Sequence, residues 1–109
     1  ESIHWIYVRE GEVMINLNGY TWDLNDIEIH ITSTLSIYDT SANETGKICS
    51  DRNVIYLNNP EDGSQFNLYS GTLESRGATS FVIDASWGKV WVKGFTRHFE
   101  ACQGCIRTR

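Results

Sequence analysis

Glu12-Val13-Met14-Ile15-Asn16-Leu17-Asn18-Gly19-Tyr20-Thr21-Trp22-Asp23-Leu24, followed after Asn25-Asp26 by Ile27-Glu28-Ile29-His30-Ile31-Thr32, decides how this chain reads. Apolar residues return at every second position, which is the signature of a strand with one buried face. Asn18-Gly19 stands between two such runs, and a two-residue type I′ hairpin turn needs positive φ at both central residues, which Asn-Gly tolerates best. The stretch therefore predicts three consecutive antiparallel strands. Their shared inner face carries Val13, Ile15, Leu17, Tyr20, Trp22, Leu24, Ile27, Ile29 and Ile31. A second layer has to cover that face.

Outward from this core the same pattern continues. Ser2 to Arg9 reads as a strand ending at Glu10-Gly11, and Ser33 to Tyr38 extends the fourth strand or begins a fifth. Lys47–Ser50, Val54–Leu57, Gln65–Tyr69 and Thr72–Ser75 are short strands between polar breaks, of which Asn58 to Ser64 holds the only proline. Ala78–Asp84 and Lys89–Lys93 read as a hairpin through Ala85-Ser86-Trp87-Gly88, while Phe95 to Ala101 suits a strand or a short helix. Strands every 8 to 12 residues with no sustained helical period predict one all-β domain over residues 1–109: an antiparallel β-sandwich or jelly roll of about nine to ten strands, with little helix. No internal period is visible, which argues against a propeller or solenoid. Lys89 and Lys93 around Val90-Trp91-Val92 suit an edge strand, because edge lysines discourage pairing with another chain.

The chain has 109 residues, enough for one core, and its 13 aromatic residues with a single proline mark a globular sequence. No apolar run approaches the roughly 18 to 20 residues of a membrane span. The chain starts at Glu1 with an immediate strand pattern, from which removal of a leader or tag is expected. Charge is uneven: residues 87–109 sum to +4 and residues 1–86 to −9. Five basic residues scattered over that tail read as a solvated edge rather than a nucleic-acid stripe, so no nucleic-acid partner is expected.

Chemistry-bearing motifs are sparse. Cys102-Gln103-Gly104-Cys105 has CxxC spacing but lacks the βαβ context of redox pairs. A Cys3His zinc site from Cys49, His98, Cys102 and Cys105 is an alternative, though complete zinc motifs present two paired ligand sets and here the second is missing. His30 alternates with the isoleucines, so solvent exposure is its expected state. The carboxylates Glu10, Glu12, Asp23, Asp26 and Glu28 lie near turns as solvating groups. No Ser-His-Asp set and no phosphate loop stands out, so neither catalysis nor a cofactor is expected. Asn43-Glu44-Thr45 is a glycosylation acceptor pattern in a polar loop. Trp22 reads as core. Trp91 points outward if Val90 and Val92 are buried, and with Lys93, Arg97 and His98 it forms the expected partner-binding surface.

The run Val8-Arg9-Glu10-Gly11 to Asn18-Gly19-Tyr20-Thr21-Trp22-Asp23-Leu24 resembles the front of the cupin β-barrel, where a strand ends in Glu-Gly and the next hairpin turns at Asn-Gly. The paired metal-binding histidines of cupins have no counterpart here, so a cupin-like domain without the metal is what the resemblance implies. In size and format the chain is also similar to the small secreted avirulence effectors of rust fungi. That resemblance implies a secreted protein, translocated into a host cell, that acts as a monomer. It would bind a host protein such as an immune receptor through its surface. A carbohydrate-binding module is the second expectation.

Overall fold

The computed structural model describes residues 5–58, 64–77, 81–87, 89–92, 99–100 and 104–108. Among them are thirteen short strands and no helix: β1 (Trp5–Val8), β2 (Glu12–Asn16), β3 (Thr21–Asp23), β4 (Glu28–Ile31), β5 (Thr34–Tyr38), β6 (Lys47–Ser50), β7 (Ile55–Asn58), β8 (Gln65–Leu68), β9 (Thr72–Ser75), β10 (Phe81–Trp87), β11 (Lys89–Val92), β12 (Phe99–Glu100) and β13 (Gly104–Thr108). Each strand pairs with the one three places later in the chain. Sheet A runs β1-β4-β7-β10-β13, sheet B runs β11-β8-β5-β2 and sheet C runs β12-β9-β6-β3. Every one of these pairings is parallel.

The chain thus winds as a solenoid, visiting sheets A, B and C once per coil, and neighbouring coils stack strand on strand. This corrects the expected antiparallel sandwich, jelly roll or cupin-like barrel, and it corrects the exclusion of a solenoid. Alternation reports that one face of a strand is buried; it carries no information on the direction of the neighbouring strand. The repeat escapes notice because its length drifts. Glu12 to Thr34, partners in sheet B, are 22 residues apart, whereas the next step from Thr34 to Gln65 takes 31.

The Asn18-Gly19 turn shows how a local reading succeeds while the topology fails. Asn18 and Gly19 have φ of 49° and 80°, and the Tyr20 amide donates to the Leu17 carbonyl at 2.9 Å. The turn has the positive dihedrals expected of it. Yet β2 and β3 do not pair: the turn is a corner that carries the chain from sheet B to sheet C. The expected hairpin of Ala78–Asp84 with Lys89–Lys93 is likewise absent among the described residues, since β10 extends through Trp87 in sheet A and β11 belongs to sheet B. β11 is an edge strand, as Lys89 and Lys93 suggest.

Apolar columns fill the interior. Ile29, Ile55 and Ile83 are register partners in sheet A, Leu35 pairs with Phe66 and Ile37 with Leu68 in sheet B, and Ile48 pairs with Leu73 in sheet C. All are fully buried or nearly so. At about 1.5–3 kcal/mol for each fully buried apolar side chain, these columns are the main favourable term of the fold.

Buried polar groups hold the corners. Ser50 Oγ donates to the Ile27 carbonyl at 2.8 Å and Ser75 Oγ to the Arg52 carbonyl at 2.9 Å, one coil apart. Asp39, also buried, accepts the amides of Gly19 (2.9 Å), Ser41 (3.0 Å) and Gly46 (2.5 Å). Burial pushes the Asp39 carboxyl up, but the backbone donors, with the Ser41 hydroxyl, outweigh it and hold the group below its usual value. Gly46 has no alternative: a Cβ there would lie 2.5 Å from Leu17 Cβ and 2.7 Å from Asp39 Oδ2.

Candidate docking surface on the first coil

The first coil, β1 to β3, ends all three sheets. Its inward-facing residues occupy the same columns as the core, but no described coil stacks beneath them. In sheet A, Ile6 is 37% exposed and its partner Ile29 1%. In sheet B, Val13 is 36% exposed and Leu35 0%. In sheet C, Trp22 is 37% exposed and Ile48 0%. Trp22 is therefore at a core position without core burial, which corrects its reading as a buried residue. Tyr20, expected on the inner face, is exposed at the corner.

Of the eight large exposed hydrophobic residues among those whose burial is described, which leaves out Trp87, Trp91 and the strands after them, seven belong to this coil: Trp5, Ile6, Tyr7, Val13, Met14, Tyr20 and Trp22. Scattered exposed apolar side chains are ordinary on a protein surface; a concentration of them on one end is not. The backbone adds to the apolar surface. Carbonyl and amide groups of Gly11 and Leu17 bond toward β5, so the two-residue alternation turns those of Glu12, Met14 and Asn16 to the open edge.

The outer face of sheet A continues the surface with an aromatic cluster. His30 stacks on Trp5 with ring centroids 5.5 Å apart and an interplanar angle of 17°. Tyr7 and Tyr56 meet His30 edge to face at 5.6 and 4.6 Å. The Arg9 guanidinium lies 4.5 Å over the Tyr7 ring. His30 is consequently buried rather than solvated, which corrects its expected exposure. Its Nε2 stands 2.8 Å from Glu28 Oε1, and because a carboxylate only accepts, Nε2 donates this hydrogen bond. Nδ1 is buried with no hydrogen-bond partner.

On sheet C the outer face is ionic. Arg76 donates to Asp23 at 2.7 and 3.1 Å and to Asp51 at 2.7 Å, bridging two coils. The Arg76 hydrogen bonds and the Asn25 amide together bring the Asp23 carboxyl down to about 2. Cys49 beside them is a free buried thiol, pushed up in pKa first by burial and then by the Asp23 charge.

The residues singled out from sequence are dispersed. Trp91 lies on β11, paired with Asn67 at the far edge of sheet B from β2. Lys93, Arg97 and His98 lie outside the described residues. Of the alternative zinc set, Cys49 sits on sheet C and Cys105 on sheet A, while His98 and Cys102 lie outside the described residues. No group of three or more His, Cys, Asp or Glu suited to a metal occurs among the described residues. Trp5, Ile6, Tyr7, Val13 and Met14 were not legible as a surface, because only the three-sheet topology shows that their strands all lie at one end. The chain matches no family model, no curated protein and no solved structure.

Proposed function

We propose that this chain is an interaction module that docks a protein partner on its first coil and works by binding rather than catalysis. The observation that carries the reading is the concentration of exposed apolar side chains on β1, β2 and the β3 corner, beside backbone edges that another chain can pair with. Large aromatic and Met side chains at the centre and charged groups at the margin are the usual anatomy of a protein interface. The first coil carries both kinds of residue, Trp5, Tyr7 and Met14 among the former and Arg9, Glu10 and Glu12 among the latter, all exposed.

A carbohydrate chain fits this surface less well. Extended sugars stack on coplanar rings, and Trp5 and Tyr7 are inclined at 76°. The partner class drawn from fungal effectors depended on a sandwich format, so the proposal defines the partner by surface chemistry alone.

The experiment is site-specific photocrosslinking in extract of the source organism. A benzophenone side chain at Met14 or Tyr20 should capture one protein, which the same group at exposed Arg52 or Glu44 does not capture. Adding Trp5→Ala should abolish capture with the β-sheet circular dichroism retained. Equal labelling from all four positions, or retention of an oligosaccharide instead, would refute the reading.

A further inference from the structure

We infer that Asn18 is a deamidation site guarded by Asp39, open to modification only when the corner between sheets B and C opens. The inference concerns that corner alone and stands whether or not the first coil docks a partner.

Asparagine followed by glycine is the pair in which this reaction runs most readily, because no Cβ hinders the attacking nitrogen. The Gly19 amide gives its proton to hydroxide, and its nitrogen then bonds to Asn18 Cγ. The Cγ–Nδ2 bond breaks, and the leaving nitrogen takes a proton from water, which releases ammonia and restores the hydroxide. Water then opens the cyclic imide at either carbonyl. Cleavage of the new N–Cγ bond gives aspartate; cleavage at the original backbone carbonyl gives isoaspartate, whose main chain is longer by one carbon.

The structure holds the atoms of the first step against it. The Gly19 amide donates to Asp39 Oδ1 at 2.9 Å, so the proton to be lost lies against a carboxylate and the amide anion would form beside a fixed negative charge. Hydrogen bonds to ionised acceptors are the strong ones, and like charges repel more where water is scarce. Asp39 does not take the proton itself. Against the upward push of burial, the amides of Ser41, Gly46 and Gly19 hold its carboxyl below the usual value, which makes it a weak base.

The turn is locked as well. The Tyr20 amide donates to the Leu17 carbonyl at 2.9 Å and the Asn18 amide to Asn16 Oδ1 at 3.0 Å, with φ of 49° at Asn18 and 80° at Gly19. Bringing the Gly19 nitrogen onto Asn18 Cγ turns the peptide plane between them and breaks the bond to Asp39. Asp39 is itself fixed to the following coil, since its amide donates to Ser70 Oγ at 2.7 Å and its carbonyl accepts from that hydroxyl at 3.1 Å. Isoaspartate, once formed, does not fit back: it lengthens a two-residue turn and adds a negative charge to a corner that already holds Asp39. A transient opening thus becomes permanent.

The test incubates the full chain at neutral pH, folded and in urea, and follows the peptide holding Asn18 for the mass of aspartate and for isoaspartate fragments. Asn18 of the folded parent should convert at least about tenfold more slowly than in urea. Asp39→Ala should raise the folded rate by at least about tenfold. Asp39→Asn, which keeps an oxygen for the Gly19 amide and loses the charge, should raise it less, and it decides the matter if Asp39→Ala does not fold. Leu35→Ala, which weakens the core and leaves the corner intact, should stay near the parent's rate. Conversion of folded Asn18 as fast as in urea, an Asp39→Asn rate no higher than the parent's, or an equal rise in Leu35→Ala would overturn the inference.

Discussion

The Asp39 carboxylate accepts the Gly46 amide at 2.5 Å across the corner between β5 and β6, and Leu17 closes the space on the other side. The corner is built around the absence of a side chain at residue 46. Gly46→Ala should cost about 1–3 kcal/mol, the range for forcing one methyl group into a packed site. Urea unfolding should show a lower midpoint with the same slope. An unchanged midpoint would mean that the corner is looser than described.

Acid should weaken this fold through two carboxylates. Asp23, at about 2, and Asp39, also lowered, both bind protons less readily in the folded chain than in the unfolded one. Their contribution is complete above the unfolded value of about 4 and is lost as pH falls toward their folded values. Melting temperature should drop steadily below about pH 4, and Asp39→Asn should flatten part of that drop. A melting curve of the variant that parallels the parent throughout would contradict the assignment.

Position within one column should set the cost of truncation. Leu35 and Val13 are register partners, the first fully buried and the second a third open. Leu35→Ala should destabilise by about 2–5 kcal/mol, and Val13→Ala by less than about 1 kcal/mol. Comparable losses would show that something covers the first coil.

Cys49 should resist alkylation. The thiol is buried and its pKa is raised, so little thiolate is available to react. Peptide mapping after iodoacetamide should give labelling of Cys49 at least about 100-fold slower in the native protein than in urea. Rapid native labelling would indicate that the sheet C face opens.

Much of the local structure was legible in the sequence, and little of the global arrangement was. Asn18-Gly19 announced two positive-φ residues and the structure has them, because dihedral preference is a property of the residues themselves. Ile29 and Ile31 announced a buried face and are buried, because alternation measures burial directly. Which strand lies beside Ile29 depends instead on a partner 26 residues away, Ile55, and on loops of unequal length that hide the coil repeat. His30 misled for a related reason. It does face away from the core, but Trp5 and Tyr7 from β1 and Tyr56 from β7, on either side of its own strand, cover it. The docking surface was hidden by the same gap, since β1, β2 and β3 form one end only once all three sheets are known.

The parallel coil can be tested most directly by nuclear Overhauser contacts among backbone protons. Stacked rungs predict contacts of Val13 with Leu35, Ile15 with Ile37 and Trp22 with Ile48. An antiparallel hairpin through Asn18-Gly19 predicts close Hα–Hα contacts between the β2 and β3 strands instead, such as Asn16 with Thr21. Finding the first set and not the second would sustain the solenoid and its open first coil; finding the second would contradict both.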